Sequence, residues 1–222
     1  MGAAVMFQGV LFDLDGTLLD TLADLAEAAN AALADAGCPG HERDAYRYFV
    51  GDGVQTLAQR ILPADKRGPE YVTAVAAGFT RHYAKNWAAQ TQPYDGIPEL
   101  LDYLTARNLR LGVLSNKPAA FTRQLVEHYF SRSPFLAVLG VDEQHPPKPD
   151  PGGAQLAAQA LAVSPAEILY LGDTGTDMKT AVAAGMYPVG ALWGFRERDE
   201  LLRDGARVLV EHPRAVAMLV NG

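Results

Sequence analysis

Val10-Leu11-Phe12-Asp13-Leu14-Asp15-Gly16-Thr17 is an apolar run that ends in two carboxylates, a glycine and a hydroxyl residue. The apolar triplet reads as a buried β-strand, and Gly16-Thr17 as the turn that leaves it. Side chains alternate along a strand, so Asp13 and Asp15 are expected on one side of the sheet, at its edge. There they converge on one metal ion or one reacting group. Two unpaired carboxylates in a dry site repel, and one of them stays protonated. A divalent cation removes that conflict, so the motif itself implies a metal.

Working outward, five or six short β-like runs are separated by helical patterns. The runs are Gln8–Leu14, Arg110–Ser115, Phe135–Leu139, Ile168–Leu171, Pro188–Leu192 and Arg207–Val210. Apolar spacing of period 3.6 predicts helices over Ile97–Arg107, Ala119–Tyr129, Pro151–Ala162, Thr176–Ala184 and Glu197–Arg203. Strands alternating with helices predict an α/β fold, a Rossmann-like parallel sheet with helices on both faces. Ligands bind such sheets beyond the carboxyl ends of the strands.

The stretch between the first two long strands breaks this rhythm. Residues 18–91 carry helical patterns and no convincing strand. Leu22, Leu25, Ala26, Ala29, Ala32, Leu33 and Ala36 form one apolar stripe, and Gly37 is placed to end that helix. Further helices are expected near Val54–Leu62 and Glu70–Trp87. This is far more than a strand-to-strand crossover needs. It predicts an all-helical cap domain at 18–91, inserted into a discontinuous core of residues 1–17 and 92–222. Thr91–Gly96 is the expected return hinge.

The bulk numbers narrow the function classes. A chain of 222 residues with 49% hydrophobic content buries a sizeable core without crosslinks. Its one cysteine, Cys38, cannot form an intramolecular disulfide and fits a reducing compartment. A net charge of −7 argues against nucleic acid or an anionic membrane as partner. It also means that local cations must attract any anionic substrate. No apolar stretch approaches the roughly 20 residues of a membrane span, and Asp13 and Asp15 interrupt the only candidate signal peptide. Met1-Gly2 opens like a myristoylation signal, but Met6 stands where that signal wants Ser or Thr. A cytoplasmic location, as monomer or homodimer, is the expectation.

Three later clusters follow strands. Ser115-Asn116-Lys117-Pro118 places a hydroxyl before a proline suited to the first position of a helix. Ser115 there binds an anion beside free backbone N–H groups, or caps the helix. In Lys148-Pro149-Asp150-Pro151 the prolines hold Lys148 extended beside a helix start, as a phosphate clamp or an exposed loop lysine. In Gly172-Asp173-Thr174-Gly175-Thr176-Asp177 two further carboxylates stand one helical turn apart, as oxygen ligands suited to Mg²⁺ or as turn and N-cap residues.

In this order, the four clusters resemble those of haloacid-dehalogenase-superfamily phosphatases, and the resemblance spans the whole chain. Asp13-x-Asp15-Gly16-Thr17 is similar to the family's first motif, Ser115 to the second, Lys148 to the third and Gly172-Asp173-x-x-x-Asp177 to the fourth. The resemblance implies an aspartyl-phosphate formed on Asp13, with Asp15 as acid and then base. It implies that Ser115, Asn116 and Lys148 bind phosphate. It implies Mg²⁺ held by Asp13, the Asp15 carbonyl and Asp173, with Asp177 supporting the metal's water shell. The family's dehalogenases lack an acid/base residue at the place of Asp15, so hydrolysis of a phosphate ester is the expectation.

Within the insertion, Gly51-Asp52-Gly53-x-x-x-Leu57-x-x-Arg60 resembles the cap pattern of phosphoglycolate phosphatases. Gly51, Asp52, Gly53 and Arg60 are thereby implied in substrate selection, with Arg60 pairing a carboxylate or forming a surface salt bridge. Pro93-Tyr94-Asp95-Gly96 and Trp193-Gly194-Phe195-Arg196 resemble the same branch. The substrate implied is a small phosphorylated metabolite such as phosphoglycolate. A β-phosphoglucomutase-like mutase, a pyrophosphatase of the same cap type and a non-catalytic phosphate- or metal-binding module are the alternatives. His82, His128 and His145 lack metal-ligand spacing, and His41 and His212 flank turns.

Overall fold

The computed structural model describes residues 6–142 and 146–220. The chain divides into two compact units, Met1–Leu19 with Pro93–Gly222, and Asp20–Gln92.

The first unit is built on a six-stranded sheet. Its strands are β1 (Gly9–Phe12), β4 (Arg110–Pro118), β5 (Phe135–Val141), β6 (Ile168–Gly172), β7 (Tyr187–Ala191) and β8 (Val208–Val210). The order is β5-β4-β1-β6-β7-β8, and every pairing is parallel. The chain runs outward from β1 through β4 to β5, then returns to the other side of β1 for β6, β7 and β8. That reversal opens a crevice beyond the ends of β1, β4 and β6, where ligands bind such sheets.

Val10, Leu11, Phe12 and the whole run Ile168–Leu171 are fully buried, so consecutive strand residues are covered whichever face they point to. A sheet buried on both sides needs helices on both faces. These are α5 (Ile97–Ala106), α6 (Ala119–Phe130), α7 (Gly152–Leu161), α8 (Gly175–Ala183), α9 (Arg198–Arg203) and α10 (Pro213–Leu219). On one face Leu11 and Tyr170, partners in register, pack with Ala154, Ala157 and Leu161 of α7 and Ala181 of α8. Alanines on those helices let them approach the sheet closely. The expected α/β class, strand set and Rossmann-like sheet are all present.

Two local expectations change, and one helix is added. The strand expected to reach Leu14 stops at Phe12, because Asp13 to Thr17 already curve through the turn. Pro118 does not open a helix: β4 continues through Ser115–Pro118, pairing Pro118 with Val141 across a register shift, and α6 starts one residue later. Helix α10 had no expectation attached; its signal was Pro213 at the first position, after His212, whose ring accepts the Arg214 N–H.

The second unit is helical: α1 (Leu22–Asp35), the single turn α2 (Tyr46–Phe49), α3 (Val54–Ile61) and α4 (Pro69–Asn86). The α1 stripe packs on α4, with Gly78 lying against Ala32. Asp24, buried in the first turn of α1, accepts the N–H groups of Gln90 and Thr91 and the Thr91 hydroxyl at 2.7–3.1 Å. One carboxylate thus ties the start of this unit to its end. Two-residue strands β2 (Leu19–Asp20) and β3 (Gln92–Pro93) pair where the chain leaves and returns. Cys38 is buried just past α1 as a free thiol.

Candidate active site

The carboxyl ends of β1, β4 and β6 bring together residues far apart in the chain. Asp13 follows β1 directly, and its amide still donates to the Leu171 carbonyl of β6 at 2.9 Å. Gly16, at φ 90°, turns the chain beneath the Asp173 carboxylate, a conformation that L side chains rarely adopt.

Lys148 lies at the centre. It is buried rather than an exposed loop lysine, and its ammonium donates to Asp13 Oδ1 at 2.8 Å, Asp177 Oδ1 at 2.6 Å and the Leu114 carbonyl at 3.2 Å. Its backbone is fixed as well. Asn116 Oδ1 accepts the Lys148 N–H at 2.7 Å, and Asn116 Nδ2 donates to the Lys148 carbonyl at 3.1 Å. The Asn116 side chain thus holds this lysine. The Lys148–Pro149 peptide is cis.

Asp15 is held by a different lysine from the one that holds Asp13. Its carboxylate takes both bonds from Lys117 Nζ, at 2.8 and 3.0 Å. In the sequence the signal for Lys117 is weak: its place on the same strand end as Ser115. Ser115 is buried and accepts the Lys117 amide at 3.2 Å.

The carboxylates that do gather are Asp13, Asp173 and Asp177, each offering an oxygen within 4.8 Å of the others. Asp177 is the most committed of the three. Oδ1 accepts Lys148 and the Tyr170 hydroxyl, and Oδ2 accepts the Thr174 amide and hydroxyl. With the return bond from its own amide to Thr174 this forms a capping box at the start of α8. Tyr170, buried under the site, carried no expectation; in sequence it is one apolar strand residue among four. Asp173 accepts Thr17 Oγ1 at 2.9 Å and the Phe195 amide at 2.8 Å.

Burial, and then the charge of Asp177, push the Asp13 carboxyl well above its usual range against the pull of Lys148. The same two causes raise Asp173 to about 7. Burial alone would depress Lys148, but Asp13 and Asp177 outweigh it and hold the ammonium charged. Four carboxylates here are bonded to or grouped around two ammonium groups. The all-oxygen donor set and this shortage of positive charge fit a hard divalent cation.

The remaining expected residues lie in the helical unit, among themselves. Arg60 pairs with Asp52 at 2.5 Å and donates to the Phe49 carbonyl at 3.2 Å. Gly51 and Gly53 precede α3 at φ 112° and 86°. Of the histidines, His82 pairs with Asp35, His41 bonds the Ile61 carbonyl and His128 packs on Tyr129. His145 lies outside the described residues. No described helix is long and apolar enough to cross a membrane.

Comparison with known proteins agrees with this geometry. The family model for haloacid dehalogenase-like hydrolases matches residues 10–191. A phosphoglycolate phosphatase of Cereibacter sphaeroides is 37% identical over 180 residues, covering 80% of this chain and 82% of the relative. An N-acetylmuramic acid 6-phosphate phosphatase of Pseudomonas aeruginosa is 33% identical, covering 93% and 92%. A crystal structure of a candidate phosphoglycolate phosphatase from Lactobacillus delbrueckii subsp. bulgaricus superposes with a TM-score of 0.92 at 28% identity, over 97% and 98% of the two chains. The chain belongs to the haloacid dehalogenase-like hydrolases, and it is an enzyme of their phosphatase branch.

Proposed function

We propose that this enzyme hydrolyses a small phosphate monoester that also carries a carboxylate, with phosphoglycolate as the reference substrate. The observation that carries the reaction is that Asp13 and Asp15 are each held by a lysine of their own. Two residues apart, they have different lysine partners, and so different tasks. Asp13 attacks phosphorus, the bond to the leaving oxygen breaks, and Asp15 gives that oxygen its proton. Asp15 then takes a proton from water, which attacks the aspartyl-phosphate and frees Asp13 and inorganic phosphate. Lys148 and Ser115 hold the phosphoryl oxygens, and Asn116 keeps Lys148 in place.

Phosphoryl transfer is mostly positioning and charge neutralisation. Asp13, Asp173 and the Asp15 carbonyl would hold Mg²⁺, with Asp177 beside them, and the ion supplies positive charge to the transferring group. Asp177, bonded through both oxygens, orients Lys148 and starts α8.

For the substrate, both curated relatives act on phosphate esters of an acid, glycolic in one and N-acetylmuramic in the other. The second covers more of this chain, which favours a carboxylated sugar phosphate as the other reading. Phosphate release from a panel separates them: 2-phosphoglycolate, N-acetylmuramic acid 6-phosphate, glucose 6-phosphate, β-glucose 1-phosphate and pyrophosphate, with Mg²⁺ or with EDTA. The expected ranking by kcat/KM places a carboxylated monoester first and shows no release in EDTA. A preference for an uncarboxylated ester overturns the substrate class, and no Mg²⁺-dependent release from any ester overturns the reaction.

A further inference from the structure

The loop from Leu192 to Glu197, between β7 and α9, contains none of the residues given a task above, yet it touches the site at three points. Trp193 Nε1 donates to the Thr17 carbonyl at 3.0 Å. The Phe195 amide donates to Asp173 Oδ2 at 2.8 Å. Between them Gly194 presses so closely on Asp173 and on the Gly16 carbonyl that a methyl group there would overlap both. Gly16 faces the same junction from the other side, where a methyl would meet the Asp173 carboxylate and the Phe195 ring.

These contacts close a triangle. Thr17 Oγ1 donates to Asp173 Oδ1, so each oxygen of that carboxylate has its own donor, one from the turn after β1 and one from the loop. Trp193 ties the loop to that turn through the next carbonyl along. A carboxylate gripped at both oxygens cannot rotate about its Cβ–Cγ bond, and its remaining lone pairs keep one direction. Two glycines allow three chain segments to meet at this separation. Farther along the loop, buried Arg196 pairs with Glu200, which in turn accepts the amide of Gly175, two residues past Asp173.

We propose that Trp193-Gly194-Phe195 is the positioning element of the cation site, aiming the Asp173 carboxylate and locking it to the turn that carries Asp15. This rests on the reading of Asp173 as a cation ligand. Outer partners of metal ligands are worth about 10- to 100-fold in metal affinity.

The test is cation binding by the full chain, read by isothermal titration with Mn²⁺ and beside the melting temperature of the metal-free protein. Trp193→Phe keeps a ring and loses the N–H; we expect Mn²⁺ to bind about tenfold more weakly, with the metal-free melting temperature unchanged. Gly194→Ala is expected to bind still more weakly. Added Mg²⁺ is expected to restore kcat in Trp193→Phe, because the lesion is in affinity. Wild-type Mn²⁺ affinity in Trp193→Phe overturns the proposal, and so does weakened binding matched by an equal loss of folding stability. Asp173→Asn is the control. If wild type and Asp173→Asn bind Mn²⁺ alike, the reading of Asp173 as a ligand fails instead.

Discussion

In the α/β unit, Asp13 meets a lysine 135 positions away, and both side chains are shut from water. In the helical unit, Asp52 meets an arginine eight positions away, and about a third of each side chain stays exposed. Taking the first pair out of water carries a desolvation cost that makes a buried ion pair a poor source of stability, so stability does not explain it. A site that must place charge against a phosphoryl group does. The second pair is a local contact at a helix end, of the kind whose measured worth is small. Sequence separation and burial together tell the two apart, where charge alone would treat them as equals.

The sharpest way to break the comparison is Asp13→Asn, which keeps shape and removes the nucleophile. Turnover is expected to fall by roughly a thousandfold or more, with the melting temperature near wild type. Near-wild-type phosphate release would return the Asp13–Lys148 pair to a structural role.

Next in size is a carboxylate in the helical unit that breaks the local pattern. Asp24 is buried and spans 66 positions to reach Gln90. Asp24→Ala strands two backbone N–H groups and is expected to destabilise that unit by about 3 kcal/mol. Early protease cleavage within residues 86–91 of the full chain is the readout. If cleavage there is unchanged, the tie is dispensable.

Lys117→Met removes both bonds to Asp15 without touching Asp13. A loss of about tenfold in kcat is expected, at the low end for an acid–base group because Asp15 itself remains. The drop should be steeper for esters with poor leaving groups than for an aryl phosphate, and an equal drop for both would detach Lys117 from the proton transfer. Smallest is Arg60→Ala, which removes a half-exposed pair worth below about 1 kcal/mol. If Arg60 selects the substrate, KM rises for carboxylated esters and not for the others. An equal change for all esters leaves it a salt bridge with Asp52.

The alternation of strands and helices was legible because each strand is a short apolar run and each helix repeats its apolar residues with period 3.6. Val10–Phe12 and Ile168–Leu171 read as strands buried on both faces, and they are. The ends of elements were less legible. Whether β4 stops at Ser115 or runs to Pro118 depends on its pairing with Val141, a residue of another strand. Lys117, Tyr170 and Trp193 had weak signals for the same reason: each acts through a partner that no local pattern names.

The sequence by itself determined the parallel α/β architecture, the helical insertion and the motif positions, since these follow from periodicity and from residue types at strand ends. Only the tertiary structure decided which charge faces which. It gave Lys148 to Asp13 and Asp177, Lys117 to Asp15, the Asn116 side chain to the Lys148 backbone and Arg60 to Asp52. Such pairings depend on where strand ends and loops from distant parts of the chain meet, and on the burial that makes each unpaired charge costly there.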